Sequence, residues 1–397
     1  MVNYASIVPL IGGPTIAMQN VLGGLRPEYI LSYDGFQAND KHLLEYYNNE
    51  VPYHLIEDGK HPPVKSVDIV NTVCPCAGLS SLSPSSSTTS ETNDWLYTTA
   101  RHVLEHIGPK VLWGENAPRL ASKMGEPIVK NLRAIGQEFG YVFSIYKTKS
   151  LQHGLSQVRD RTFYFFWKGD KIPLFDYHSR PHKRIEDAIR EVKYDPNDSM
   201  SVLGNDAKPT DNPYYQYVLQ KLDMSHIEFG SYITKTTNPL EWIHINDSLL
   251  NAATWMDTKG FDREAAKCRR KHEKLASGGN IMWHNIEIPK DRIGAFVGHR
   301  PTSLAHPDED RFLTIRESLS LMGLPEDFVL QGGRKNLNHI CQNVPVTTAM
   351  DMAQEAISFC EGRKDNQLIE TTFLMQNNKN QSYWNENNGV QLDAFMV

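Results

Sequence analysis

The order of apolar and polar segments predicts an α/β protein with a doubly wound, mostly parallel sheet and a second, smaller domain. Short runs of β-branched and aromatic residues alternate with longer segments of helical spacing, which is typical of a parallel sheet covered by helices. The alternation fades after about residue 168 and order returns near residue 306, which indicates an inserted region. The length of 397 residues is enough for two domains.

Seven strands and five helices are predicted from these patterns. The strands are Tyr4–Pro9, Tyr29–Tyr33, Tyr53–Ile56, Val67–Val73, Lys110–Trp113, Tyr141–Tyr146 and Thr162–Trp167. The first helical segment is opened by Ile11–Pro14 and runs through Thr15–Leu22. The other helices are Ala38–Asn48, Asn93–His106, Met124–Phe139 and Thr347–Cys360.

Four regions follow from this division. Residues 1–168 form the first part of the main domain, and residues 296–361 complete it. Residues 169–295, with their irregular short segments, form the second domain or a large insertion. Residues 362–397 are rich in Asn and Gln and are interpreted as a weakly ordered tail or a docking arm.

Composition restricts the class of protein. Apolar residues make up 40% and charged residues 22%, as in ordinary soluble globular proteins. Five cysteines without framework spacing indicate free thiols in a reducing compartment, so we expect a cytoplasmic protein of a bacterial or viral type. No signal peptide and no apolar run of about 18 residues is present, and we expect no membrane span.

The net charge of −6 argues against a protein whose whole surface coats nucleic acid. A local basic cluster does occur within residues 263–274, with Trp283 and His284 just beyond it. Two interpretations stay open for this cluster, phosphate contact and an ordinary solvated helix face.

Glycines or polar residues follow several of the predicted strands. Because ligands bind at the carboxyl ends of strands in such sheets, these residues predict a ligand site at one sheet edge. They are Gly12, Gly13, Asp34, Asp58, Cys76 and Glu115. Asp34 and Asp58 could equally be turn residues.

Cys76 follows Pro75 where a buried strand meets a Ser/Thr-rich loop. A cysteine in this position is a candidate nucleophile, and the alternative is a buried structural thiol. Cys74, two residues earlier, is expected to lie in the core.

An ordered series of motifs resembles the C5-cytosine methyltransferase family. Its members are Pro75-Cys76, Glu115-Asn116-Ala117, Gln157-Val158-Arg159-Asp160-Arg161, His306-Pro307 through Arg316-Glu317, and Leu324-Pro325-Glu326-Asp327-Phe328. The resemblance implies a Rossmann-like doubly wound methyltransferase sheet. It places a target-recognition domain in the variable region 169–295.

The resemblance also implies the chemistry. Cys76 would be a thiolate that adds to carbon 6 of a flipped-out cytosine, so that carbon 5 can accept a methyl group. Glu115 would neutralise charge at ring N3, and Arg161 with Arg159 would face the ring oxygen and the cysteine.

S-adenosylmethionine is the cofactor that the resemblance implies, with no metal. Its binding residues would be Pro9, Gly12, Gly13, Asp34, Asp58, Pro75 and Asn343. Double-stranded DNA is the expected partner, with RNA as the alternative, and we expect a monomer, with a homodimer as the alternative.

Three departures from the family pattern keep other functions open. Ala77 replaces a glutamine, Leu10 occupies a glycine position of the cofactor loop, and the motif before the last helix is reduced to residues 339–345. The alternatives are a tRNA or other RNA cytosine-5 methyltransferase, and a catalytically impaired nucleic-acid-binding regulatory relative.

Overall fold

The structure is a computed structural model that describes residues 1–57, 59–74, 79, 93–176, 178–283, 286–298 and 300–364, and the backbone of four short strands between 366 and 393. The chain forms two compact units. Unit 1 contains Met1–His182, Met322–Gln331 and Gln342–Val397. Unit 2 contains Lys183–Leu321 and Gly332–Cys341. The domain boundaries expected at residues 168 and 295 stay predictions, because the packing of the chain does not show which region recognises a substrate.

A mixed sheet, mostly parallel at its centre, forms the middle of unit 1. Its principal strands are β1 (Tyr4–Ile7), β2 (Ile30–Tyr33), β3 (Tyr53–Ile56), β4 (Ile69–Thr72), β5 (Val111–Asn116), β6 (Tyr141–Lys149) and β8 (Asp160–Lys168), with the two-residue strand β7 (Gln157–Val158) before β8. Their order in the sheet is β6-β8-β5-β4-β1-β2-β3. The first five strands pair in parallel, whereas β8 runs antiparallel to both β5 and β6.

Five helices accompany this sheet in unit 1. They are α1 (Gly13–Val21), α2 (Gln37–Tyr46), α3 (Asp94–His106), α4 (Glu126–Glu138) and α13 (Val346–Cys360). The α/β class and every strand and helix expected in residues 4–168 are confirmed, with small shifts at the ends. The strands β1, β2, β4 and β5 are buried along their whole length, which explains why their sequences are continuous apolar runs.

Unit 2 is helical, so the expectation of irregular short segments was wrong. Its helices are α5 (Ile185–Arg190), α6 (Pro213–Leu222), α7 (His226–Tyr232), α8 (Pro239–Asn246), α9 (Leu249–Thr258), α10 (Asp262–Ala276) and α11 (Ile315–Ser320), and α12 (Leu337–Gln342) follows. Aromatic and aliphatic side chains from α6–α10 share one core, which includes Tyr215, Phe229, Ile243, Met256 and Cys268.

Short strands complete the description. They are β9 (Ile172–Pro173), β10 (Ile293–Gly294), β11 (Asn366–Gln367), β12 (Phe373–Gln376), β13 (Gln381–Asn385) and β14 (Val390–Asp393). Strand β12 pairs in parallel with β6, and β13 and β14 extend the main sheet beyond β12. Across the described part of the chain, no helix is both long enough and apolar enough to cross a membrane.

Candidate active site

The loop between β1 and α1 has an unusual backbone. Val8, Leu10 and Gly12 all have positive φ angles, of 49°, 52° and 100°. Side chains rarely adopt this left-handed region, and such strain is concentrated at functional sites. The buried residue Pro9 closes the loop by accepting a hydrogen bond from the Gly12 amide at 3.0 Å. Position 10 therefore keeps the backbone conformation that a glycine would adopt freely, although it carries leucine.

Gly13, the first residue of α1, approaches the segment before α13 very closely. Its amide donates to Asn343 Oδ1 at 2.9 Å. A Cβ atom at position 13 would lie 2.1 Å from the backbone oxygen of Val344, so no other residue fits without a shift of the backbone. The predicted cofactor-loop residue Gly13 and the predicted residue Asn343 are thus in direct contact, although 330 positions separate them.

Asn343 presents a buried donor beside this loop. Its side chain is fully buried, and its Oδ1 atom is occupied by the Gly13 amide. Among the described residues, its Nδ2 atom has no hydrogen-bond partner. A buried amide donor without an acceptor is costly, and a carboxylate or other acceptor from a ligand would satisfy it. The residues present therefore fit a cofactor with an anionic end.

Asp34 lies at the carboxyl end of β2 and is exposed to solvent. Its Oδ1 atom accepts a hydrogen bond from Gln37 Nε2 at 2.9 Å, which holds the carboxylate near the first turn of α2. A carboxylate at this position can accept hydrogen bonds from a diol.

Glu115 lies near the end of β5 and forms an ion pair with Arg161 of β8, through Oε1 and Nε. Both side chains are largely buried, with 4% of Glu115 and 14% of Arg161 exposed. Burial raises the pKa of the Glu115 carboxyl, and the positive charges of Arg161 and Arg159 only partly oppose this. Burial thus shifts this carboxyl toward its protonated form.

Arg159 is completely buried and joins the same group of residues. Its Nη2 atom donates to the backbone oxygen of Asn343 at 2.9 Å. The structure therefore brings together Glu115, Arg159, Arg161, Asn343 and, through Asn343, the Gly13 loop.

Three predicted site residues, Asp58, Pro75 and Cys76, lie outside the described residues. The neighbouring Cys74 is described and is 2% exposed. Its Sγ atom lies 3.5 Å from Thr72 Oγ1 and donates to the Trp95 backbone oxygen at 3.6 Å, and burial raises the pKa of its thiol. Cys74 is thus a core residue, as predicted.

A buried polar network was not predicted from the sequence. His153, in the connector between β6 and β8, lies 2.7 Å from Asp351 Oδ2 through Nδ1 and 2.7 Å from Thr148 Oγ1 through Nε2. Arg180 also donates to Asp351, and His178 lies 2.7 Å from Glu355. Asp351 and Glu355 stand one turn apart on α13, so the network fixes α13 to the connector that carries Arg159. The sequence feature that could have predicted this network is the pair of carboxylates Asp351 and Glu355, at i and i+4 on an otherwise apolar face of α13.

An aromatic group beside Asp34 was also missed. The ring of Trp95 lies 4.9 Å from Tyr33 and 5.1 Å from Phe36, measured between ring centroids. Trp95 and Phe36 are only half-buried. Within the ranges that the structure describes, no group of three or more His, Cys, Asp or Glu residues is arranged to hold a metal ion.

The family model described as C-5 cytosine-specific DNA methylase matches residues 11–358. A Methanocaldococcus jannaschii protein named as type II methyltransferase M.MjaORF1200P is 24% identical over 308 residues, which cover 76% of this chain and 68% of that protein. Type II methyltransferase M.AgeI of Thalassovita gelatinovora is 22% identical over 361 residues, which cover 72% of this chain and 82% of that protein.

Two solved structures have a similar fold. One is described as a DNA modification methyltransferase encoded within a prophage of E. coli, with a TM-score of 0.57, 13% identity and coverage of 91% of this chain and 100% of that chain. The other is the Entamoeba histolytica methyltransferase EhMeth, with a TM-score of 0.53, 13% identity and coverage of 92% and 99%.

Proposed function

Because the chain belongs to the C-5 cytosine-specific DNA methylase family, we propose that it transfers a methyl group from S-adenosylmethionine to carbon 5 of cytosine in double-stranded DNA. The observation that carries the proposal is the buried Glu115–Arg161 pair, whose carboxyl has a raised pKa. The names of the two relatives, both type II methyltransferases, support DNA as the substrate and a restriction-modification system as the setting.

Cys76 begins the reaction as a thiolate. It adds to carbon 6 of cytosine, and the electrons of the 5,6 double bond move into the ring toward N3 and O2. Carbon 5 is then nucleophilic and would take the methyl group as the bond between that methyl and the sulfonium breaks, which would leave S-adenosylhomocysteine as the second product. A base, water in the simplest case, removes the proton from carbon 5, and elimination of Cys76 restores the double bond.

Glu115 and Arg161 act on the charge that this addition creates. The raised pKa of Glu115 suits a carboxyl that presents a proton to ring N3, where negative charge develops. The Arg161 guanidinium keeps the carboxyl oriented through the ion pair. Arg159, bonded to the Asn343 backbone, adds a fixed positive charge close to Glu115.

S-adenosylmethionine supplies an electrophilic methyl group on a sulfonium. Asn343 Nδ2 is a suitable donor to its carboxylate. The Gly13 amide, which donates to Asn343 Oδ1, would hold the side chain in that orientation. Asp34 can accept from the ribose hydroxyls. Pro9 and Gly12 shape the loop, and Asp58 and Pro75 complete the proposed set.

The target base must leave the duplex, since carbon 6 of a stacked and paired cytosine cannot be reached by a side chain. Residues 80–92, a Ser/Thr-rich stretch directly after the Pro75-Cys76 motif, are a suitable sequence for a loop that closes over it.

The test is transfer of a labelled methyl group from S-adenosylmethionine to duplex DNA and, in parallel, to total tRNA. We expect label in DNA as 5-methylcytosine, and a covalent adduct with duplex DNA that contains 5-fluorocytosine. The Cys76→Ser variant should lose both signals, whereas Cys360→Ser, a matched change at a thiol far along the chain, should keep them.

Label in tRNA alone would replace the DNA proposal by an RNA cytosine-5 methyltransferase. No transfer to either substrate, with DNA still bound, would indicate a catalytically impaired regulatory relative. An adduct that persists in Cys76→Ser would contradict the proposed nucleophile.

A further inference from the structure

Four cations of α10 lie on one face of that helix. Arg263, Lys267, Arg270 and Lys274 are spaced at i, i+4, i+7 and i+11. At 100° per residue these positions fall within an arc of about 60°, and they extend over roughly 16 Å along the axis. We call these four residues the α10 stripe. No acidic residue of α10 falls within its arc.

The α10 stripe faces away from the core of unit 2. Ala265 and Cys268, on the opposite face of the helix, are completely buried, and Cys268 Sγ donates to the Leu249 backbone oxygen of α9. Arg263, Arg270 and Lys274 are exposed, and none of these three forms an ion pair within the described parts of the chain. Lys267 contacts Glu264 at 3.3 Å, an exposed pair that contributes little.

The other two cations of α10 have different roles. Arg269 points between about 100° and about 160° away from the residues of the α10 stripe and is ion-paired with Asp257 of α9. Lys271 donates through Nζ to the backbone oxygen of Met282 at 3.0 Å, which holds the segment after α10 against the helix. The six basic residues of this cluster therefore divide into two that stabilise unit 2 and four that do not.

We propose that the α10 stripe binds the phosphate backbone of the duplex DNA substrate. The proposal rests on the proposed function for the identity of the nucleic acid. Three neighbouring exposed cations without an ion-pair partner in the described chain are unusual in a protein with a net charge of −6. The positive charges of the stripe repel one another. The phosphates of one DNA strand follow each other at 3.4 Å intervals along the duplex axis, so they can neutralise these charges over the length of the stripe.

The test is the salt dependence of DNA binding by the full-length protein, measured by fluorescence anisotropy with a labelled duplex. The variant Arg263→Gln/Arg270→Gln/Lys274→Gln removes three charges from exposed positions. We expect the slope of log K against log salt to become shallower by about 0.9 for each lost contact, hence by about 3 in total. Affinity should fall for every duplex sequence, because backbone contacts carry no sequence information.

Arg269→Gln is the matched control, since it removes one positive charge from the same helix but outside the stripe. Its slope should equal that of the wild type. An unchanged slope in the triple variant, with circular dichroism showing a folded protein, would overturn the proposal, and so would an equal loss in Arg269→Gln. A stripe-dependent slope with tRNA but not with duplex DNA would overturn DNA as the partner.

The proposed function and the proposed role of the α10 stripe can be refuted independently. Wild-type protein that transfers no methyl group but shows the stripe-dependent slope would refute the proposed function alone. Methyl transfer to DNA with an unchanged slope would refute the α10 stripe alone.

Discussion

Glu115 owes its chemistry to the removal of water from around its carboxyl. It is fully enclosed at the end of β5, and its pKa is raised although two arginines lie close to it. A carboxyl that formed the same ion pair at the surface would have its pKa lowered instead, because the arginine charge would act without the opposing effect of burial. Burial and the positive charges thus act in opposite directions on one group, and burial prevails.

Replacement of Glu115 by glutamine tests this balance. Glu115→Gln keeps the shape of the side chain but removes the exchangeable acid proton, so we expect kcat to fall by about 10²- to 10⁴-fold with little change in KM for DNA. Steady-state methylation kinetics give both constants. Glu126→Gln, at an exposed position in the first turn of α4, is the control and should behave as wild type. A wild-type kcat in Glu115→Gln would exclude the acid role.

Asn343 has two roles, because its Oδ1 atom accepts a hydrogen bond from the Gly13 amide and its Nδ2 atom offers a donor to a ligand. Asn343→Ala leaves a buried amide without an acceptor, which should lower the free energy of unfolding by about 1–3 kcal/mol. It should also weaken binding of S-adenosylmethionine in calorimetry. Asn20→Ala, at an exposed position of α1, should change neither quantity. Unaltered cofactor affinity in Asn343→Ala would remove Asn343 from the binding set.

At the scale of single elements, α2 contains a buried carboxyl that opposes folding at neutral pH. Asp40 is fully buried, Tyr53 donates to its Oδ2 atom at 3.0 Å, and burial raises its pKa to about 6. Folding therefore favours the protonated form. This contribution to stability is complete below the unfolded pKa of about 3.9 and is lost as the pH rises through about 6.

Asp40→Asn, which is neutral at every pH, should therefore be more stable than wild type at pH 8, by roughly 3 kcal/mol. The difference should shrink toward zero near pH 4. Denaturant unfolding at a series of pH values measures it, with the exposed Asp170→Asn as control. A difference that does not vary with pH would show that Asp40 does not titrate as described.

The elements also show what the sequence could predict. The strands of residues 4–168 were found because they are short, β-branched and bounded by turn residues. The helices of unit 2 were missed because their composition is polar and aromatic, yet their capping residues were readable. Asn212 and Asn238 each precede a proline and accept from the following amides, and Ser225 with Glu228 forms a capping box.

The candidate site was predictable as a set of residues but not as a set of contacts. Motif order selected Glu115, Arg161 and Asn343. That Arg159 bonds to the Asn343 backbone depends on how distant segments pack, and no local pattern encodes this. The His153–Asp351 pair was unpredictable for the same reason, since 198 positions separate the two residues.

For the whole molecule, the cofactor should act as a stabilising ligand. Any ligand that binds only the folded state adds RT ln(1 + [L]/Kd), which is about 2.7 kcal/mol at one hundred times Kd. S-adenosylmethionine at that excess should raise the midpoint of thermal unfolding by several degrees in scanning fluorimetry. Adenosine 5′-triphosphate, which lacks the methionine end, is the control and should have a much smaller effect. Equal shifts from both compounds would contradict recognition of the amino-acid end by Asn343.

The antiparallel pairing of β8 with β5 carries one more consequence. Glu115 of β5 lies opposite Phe163 of β8. Arg161 lies two residues before Phe163 on β8, so its side chain is on the same face of the sheet. A slip of β8 by one residue would turn Arg161 to the other side of the sheet. The same slip would exchange Phe163 and Phe165 with Tyr164 and Phe166 between the two buried faces of the sheet. A chain out of register would therefore lose core packing together with Arg161. The aromatic residues of β8 thus fix the position of a catalytic residue, and we expect substitutions that loosen their packing to lower activity and thermal stability together.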